Sequence, residues 1–314
     1  MKDYRATAPG KVILFGEHAV VYHQPAIAVP VTTVQAKVDL QATGENSGLR
    51  IIAPDLGRDY RLAEAEADDA LALIIRLTLA RFQQVESLQA TLIVTSTIPL
   101  GRGLGSGAAI STAVVRALAQ FYGQQITPAA ISDLVYEVEK LYHGTPSGID
   151  NTVIAYEQPV YFIRQQPIER LPVGRAFILV VGDTGQVSPT HKAVGHVRRQ
   201  WQADPQRFES LFAEAGRIAA TARTIIEQGG PGATLGALMN DNQAVLAAMG
   251  VSSPELDRLI EAARQAGAWG AKLSGAGWGG NMIALVEPET APAVSDALLK
   301  AGATGCIITE VAPS

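Results

Sequence analysis

The chain has 314 residues, of which 47% are apolar and 18% charged, and its formal net charge is −5. That length supports one large or two medium domains with a sizeable core, and the mildly acidic balance, without a basic stripe, argues against a nucleic-acid partner. The single cysteine, Cys306, excludes an internal disulfide, and with no apolar run of membrane length and no charged-then-apolar leader, a cytoplasmic protein without a membrane partner is expected.

In chain order, Val12-Ile13-Leu14-Phe15 is a short apolar run. Residues 31–40 alternate through Val34, Ala36, Val38 and Leu40, and the first sixty residues read as strands. The acidic, alanine-rich residues 63–69 read as a solvated helix start. An apolar stripe of Leu71, Ile74, Ile75, Leu77 and Leu79 predicts a helix over 70–82. A strand is expected over 90–96, then helices over 108–121 and 132–142, the latter capped by Thr127 or Ser132. A short helix over 152–156 precedes strands over 159–162 and 176–181. Gln165-Gln166-Pro167 lies between these two strands and is a natural place for one half to pass into the other, giving domains 1–165 and 166–314. Residues 190–249 read as mostly helical with a break at Gly229-Gly230-Pro231-Gly232. A helix over 254–266, a strand over 281–286, a helix over 291–301 and a strand over 305–309 follow, and Cys306 reads as a buried strand thiol. The class is α+β in two halves; the pattern does not give the order of the strands.

Residues 99–109 carry the strongest chemical signal: Pro99-Leu100-Gly101-Arg102-Gly103-Leu104-Gly105-Ser106-Gly107-Ala108-Ala109. A strand, a glycine loop and a helix start form the layout of a phosphate cradle. The glycines let backbone N–H groups approach an anion, and the positive end of the helix dipole faces the same point. The alternative is a tight turn that only packs the helix onto a sheet. The loop is not of the G-x-x-x-x-G-K-[ST] type. Two further segments stand out: Ala8 to Tyr22, reading APGKVILFGEHAVVY, and Lys272 to Asn281, reading KLSGAGWGGN. The latter contains a G-x-G-x-x-G, but it leads into a strand near the end of the chain, the wrong context for a dinucleotide fingerprint.

In this order the three segments resemble the motifs of the GHMP kinases, a family that takes in galactokinase, homoserine kinase, mevalonate kinase and phosphomevalonate kinase. The first motif, and a fourth segment from Gly144 to Asn151, are most similar to the mevalonate kinase branch. The resemblance runs from about Thr7 to Val286. It implies a ribosomal-protein-like N-terminal domain, a ferredoxin-like C-terminal domain, and ATP-dependent phosphorylation of mevalonate with Mg2+. It also allows a homodimer. Other members of the family, such as phosphomevalonate kinase, and the related decarboxylases are the alternatives.

Carried over residue by residue, the resemblance implies that Gly101, Gly103, Leu104, Gly105, Ser106, Gly107 and Ala108 cradle the nucleotide, buttressed by Gly275 and Gly277. Ser106 can also be a plain helix N-cap. The family pattern has a serine where Gly107 stands, so magnesium ligation in this loop rests on Ser106. Glu139, eleven residues before Asp150, has the spacing of the magnesium-binding glutamate; otherwise it is a helix-surface residue beside His143. Magnesium keeps several waters, so one or two carboxylates suffice. Asp150 takes the place of the proton-accepting aspartate, with Lys11 as its proposed partner; otherwise it is an N-cap and Lys11 a solvated strand-edge residue. Glu17 and His18 would line the acceptor pocket, where His18 could donate to a carboxylate or hydroxyl. Thr190 would approach the acceptor, or else start a helix. Trp278 stands where the family has glycine, so its ring must find room.

Overall fold

The computed structural model describes residues 3–44, 48–84, 88–143, 146–188 and 190–313. Gly144 and Thr145 of the fourth segment lie outside them. The described chain forms two compact units whose division is not a single cut: Met1–Gly10, Val34–Pro99 and Gly105–Glu157 form the first, and Lys11–Thr33, Leu100–Leu104 and Gln158–Ser314 the second. The chain therefore changes unit inside the glycine loop, between Leu104 and Gly105.

Two long strands, β1 (Asp3–Phe15) and β2 (Ala26–Ala42), pair with each other and contribute residues to both units. In the first unit follow β3 (Leu49–Ala53), β4 (Arg58–Arg61), α1 (Ala70–Arg81), β5 (Ala90–Ser96), α2 (Ser106–Tyr122), α3 (Pro128–His143) and α4 (Ile149–Tyr156). Here β5 pairs antiparallel with residues 36–42 of β2 and parallel with β3, and β4 pairs with β3. The alternating run expected for 31–40 is thus the middle of a strand whose buried face carries Val34, Ala36, Val38 and Leu40. Helix α2 is the hub of this unit, packing on α1, α3 and α4. Apart from Ile110 and Leu118, its buried residues are alanine, serine, threonine and valine. Small side chains let neighbouring helices approach closely, and interiors packed at this density lose stability when even one methylene changes.

The helix ends correct one local expectation and decide another. Residues 63–69 are not a helix start: the backbone makes a short 3-10 turn at Leu62–Glu64, and Asp69 is the cap of α1, accepting from the Ala72 amide. Thr127, not Ser132, caps α3, through its hydroxyl and the Ala130 amide. Ser132 is instead buried inside α3, where it meets Asn151 and Thr152 of α4.

The second unit adds β6 (Val160–Phe162), β7 (Glu169–Arg170), β8 (Phe177–Asp183), α5 (Thr190–Ala203), α6 (Pro205–Gln228), α7 (Gly232–Ala248), α8 (Pro254–Gln265), β9 (Gly270–Ser274), β10 (Asn281–Val286), α9 (Ala291–Lys300) and β11 (Gly305–Val311). Strand β6 pairs with Ala26–Ala28 at the start of β2. The order β11-β8-β10-β9 makes a four-stranded sheet that is antiparallel throughout. Helices α7 and α8 pack on β9, and α9 on β8 and β11. Strands β9 and β10 are buried along their whole length; β10 reads as a nearly continuous apolar run, Met282 to Val286, whereas β9 buries Lys272 and Ser274. The α+β class is the one the sequence indicates. Cys306 lies in β11 but is only half-buried; burial pushes its thiol above the usual range, which disfavours the nucleophilic thiolate.

Candidate active site

The first unit holds the beginning of α2. Gly105 is its N-cap, in the left-handed conformation with φ +74°. Only glycine enters this region at little cost, and from it the first turn of α2 points its unpaired N–H groups out of the helix end. Ser106 is the first helical residue rather than the cap, so its hydroxyl is not spent on closing the helix. Gly107 is exposed, and a Cβ placed on it would lie 3.6 Å from Glu139 Oε1. The Glu139 carboxylate therefore stands beside the first turn of α2, and Glu139 is only 8% exposed, so it is not a helix-surface residue. The arrangement brings Glu139 beside Gly107, the residue after Ser106, and leaves Asp150 in the first turn of α4, after the left-handed Gly148 that caps that helix. Asp150 is not the cap. Asn151 beside it is anchored to α3 through Ser132, donating to its carbonyl at 3.1 Å and its hydroxyl at 2.8 Å, which fixes the start of α4.

The second unit holds the other half of the glycine loop. Leu104 accepts from the Lys11 amide at 3.0 Å, so the first and second motifs are joined along the backbone. Lys11 itself is 3% exposed and is therefore not a solvated strand-edge residue. Arg102 is fixed at both ends. Its carbonyl accepts from the Asn281 side-chain amide and lies 2.9 Å from where a Cβ on Gly280 would sit, while its guanidinium is 3.6 Å from Asp183. Asp183 ends β8 and Asn281 opens β10, and the two face each other in the ladder. Gly280 and Asn281 of the third motif thus hold Arg102 in the Leu100–Leu104 loop, while Gly277 packs on Val251 instead.

Glu17 and His18 are not alike. Glu17 is 1% exposed and its carboxylate pairs with the fully buried Lys272 ammonium, which also donates to the Leu273 carbonyl at 2.7 Å. Burial pushes the Glu17 carboxyl above its usual range, against the pull of Lys272, and pushes the ammonium below its own. Glu17 therefore faces the interior and ties the first motif to the third, instead of lining an open pocket. His18 has a left-handed backbone (φ 60°), and its Nε2 lies 2.9 Å from the Ala276 carbonyl. Since a carbonyl only accepts, Nε2 carries the proton. Burial pushes this imidazole down to about 4, so it is neutral at pH 7. Its one N–H is spent on the loop, and Nδ1 is left an acceptor; His18 can accept from an alcohol but has no N–H for a carboxylate.

Ser274 completes the seam, accepting from the Ile13 amide at 3.0 Å and donating to the Ile13 carbonyl at 3.1 Å. Thr190 is the first residue of α5, which runs to Ala203. Gly275 (φ 93°) and Gly277 (φ 80°) take left-handed backbone conformations, and Ser188 Oγ donates to the Gly277 carbonyl at 2.8 Å. Sequence reasoning missed Lys272, Asn281 and Ser274 as functional supports. The alternation Ala271-Lys272-Leu273-Ser274 just before the glycine loop was the available signal. Among the described residues no cluster of three or more His, Cys, Asp or Glu could hold a metal, and no helix is long and apolar enough to cross a membrane.

Residues 70–158 match the family model for the GHMP kinases N terminal domain, and residues 222–304 that for the GHMP kinases C terminal domain. A mevalonate kinase of Thermococcus sibiricus is 37% identical over 95% of this chain and 93% of its own. Among solved structures, L. major mevalonate kinase in complex with R-mevalonate is similar with a TM-score of 0.85 and 28% identity, covering 99% of this chain and 96% of that one. Methanococcus jannaschii mevalonate kinase is similar with a TM-score of 0.85 and 26% identity, covering 98% of both.

Proposed function

This chain belongs to the GHMP kinases, and we infer that within them it is an ATP-dependent mevalonate kinase, which transfers the γ-phosphoryl group of ATP to the 5-hydroxyl of mevalonate to give 5-phosphomevalonate, in isoprenoid precursor synthesis. The observation that carries this reading is the likeness to mevalonate kinases along nearly the whole chain. The glycine loop supports it, with one half opening α2 and the other held by the third motif.

Phosphoryl transfer asks little covalent chemistry of a protein; it asks for charge neutralisation and alignment. The N–H groups around Gly105 and the first turn of α2 receive the phosphates, helped by the helix dipole. Glu139, beside Gly107 at the start of α2, and the Ser106 hydroxyl are oxygen donors that would suit a magnesium ion, which keeps several waters. When bound, that ion neutralises charge on the phosphates. As the mevalonate 5-oxygen bonds to the γ-phosphorus, the bond to the bridging oxygen of the departing ADP breaks and Asp150 takes the hydroxyl proton. Lys11 supplies positive charge to this step. His18, through Nδ1, accepts from a substrate hydroxyl, and Thr190 offers a hydroxyl on the acceptor side. Glu17 acts at one remove by fixing the turn that presents His18.

A coupled assay of ADP release with mevalonate, phosphomevalonate, homoserine and galactose tests the reading. Turnover with mevalonate far above the other three is expected; preference for phosphomevalonate would overturn the substrate assignment. The homodimer that the resemblance allows is checked by light scattering, where twice the mass of the chain supports it.

A further inference from the structure

The third motif departs from its family at Trp278, and the structure shows what the ring does. Its backbone is left-handed (φ 56°), a conformation that L side chains rarely adopt. Three contacts hold it there. The Trp278 amide donates to the Val251 carbonyl at 2.9 Å, the indole Nε1 donates to the Gly250 carbonyl at 2.8 Å, and the ring lies 5.1 Å from the ring of His196 on α5. Gly250 and Val251 form the turn that leaves α7, and His196 Nε2 would lie 3.1 Å from a Cβ on Gly250. The neighbouring Gly277 fits the same turn so closely that a Cβ on it would be 2.0 Å from the Val251 carbonyl.

We propose that Trp278 is a positioning residue for the nucleotide: it clamps the third-motif loop between the α7–α8 turn and α5, and that loop in turn sets the shape of the Leu100–Leu104 segment. The path is continuous. Trp278 fixes residues 277–278 against Gly250 and Val251. Two residues on, Gly280 packs on the Arg102 carbonyl, and Asn281 donates to it. A glycine at 278 would accept the left-handed backbone without strain but would have neither the indole donor nor the ring against His196. Here the side chain supplies an external clamp in place of loop geometry alone.

The proposal rests on the reading of the glycine loops as the nucleotide site. It is tested by calorimetry of Mg-ADP binding and by steady-state kinetics on wild type, Trp278→Gly and Trp278→Phe. Trp278→Gly should weaken Mg-ADP and raise KM for ATP by about fivefold, the order carried by one net hydrogen bond, with KM for mevalonate within twofold. Trp278→Phe keeps a ring against His196 but loses the donor, and should fall between the two. A Trp278→Gly protein with a lower melting temperature but unchanged Mg-ADP affinity would make the ring mere packing and overturn the proposal. If Trp278→Gly does not fold, wild-type affinity in Trp278→Phe overturns it equally. Failure of wild type itself to bind Mg-ADP would instead reject the nucleotide-site reading.

Discussion

Glu17 and Lys272, 255 residues apart in the chain, form an ion pair with almost no exposure on either side. One carboxylate oxygen, Oε2, has no hydrogen-bond partner, so the pair is held by one short contact at one edge. Breaking such a pair leaves the remaining charge buried and alone. Lys272→Met should therefore destabilise the protein by about 3–5 kcal/mol, while Glu17→Gln combined with Lys272→Met should recover part of that loss because neither charge is then stranded. Urea unfolding of the three proteins measures this. A single-variant loss below about 1 kcal/mol, the range of exposed pairs, would contradict the role given to the pair.

His18 makes stability depend on pH in a defined window. Its imidazole sits at about 4 when folded and near 6.5 when the chain is unfolded. Between these values the unfolded chain binds a proton that the native state refuses, so stability falls as pH drops from 6.5 toward 4. At 1.36 kcal/mol per pKa unit, the loss attributable to this group approaches about 3 kcal/mol. His18→Gln should flatten that part of the stability–pH curve. Parallel curves for wild type and variant across pH 4–6.5 would mean that the imidazole is not held neutral.

Asp150→Asn should lower kcat by about 10²–10⁴-fold, the usual contribution of a positioned acid–base group, with ATP affinity by calorimetry little changed. Its backbone is fixed by the neighbouring Asn151, which donates to Ser132 of α3, so the substitution removes charge without releasing the turn. Turnover near wild type would remove Asp150 from the reaction.

Glu139→Gln should shift the dependence of turnover on free Mg2+ to higher concentrations while leaving KM for mevalonate nearly unchanged. Gly107→Ser should act in the opposite sense. Its Cβ would meet Glu139 Oε1 at an ordinary 3.6 Å, adding a hydroxyl beside the same carboxylate. Coincident magnesium curves for all three proteins would place the ion elsewhere.

Much of this was legible in the sequence, for physical reasons that differ by element. Helices α1, α8 and α9 match their expected spans to within a residue because an amphipathic stripe and a cap or proline mark them. Strand β5 and strand β10 match at both ends. Strand β9 was not anticipated, and β3 and β4 only as part of a first sixty residues read as strands: at four or five residues each, they are too short to display a period. The extension of β2 to Ala26 was hidden because its first six residues are all buried, so they show no alternation. Among the site residues, the glycine loop announced itself by composition. The burial of Glu17 did not, because its partner stands at the other end of the chain. Nor did the burial of Glu139, which depends on α3 packing against α2.

Phosphorus NMR reads the phosphoryl transfer itself. The purified protein, incubated with ATP, Mg2+ and R-mevalonate, should produce one new phosphomonoester resonance, matching authentic 5-phosphomevalonate, in step with ADP. ADP formed without that ester, or an ester formed only when mevalonate is replaced by another alcohol acceptor, would contradict the account.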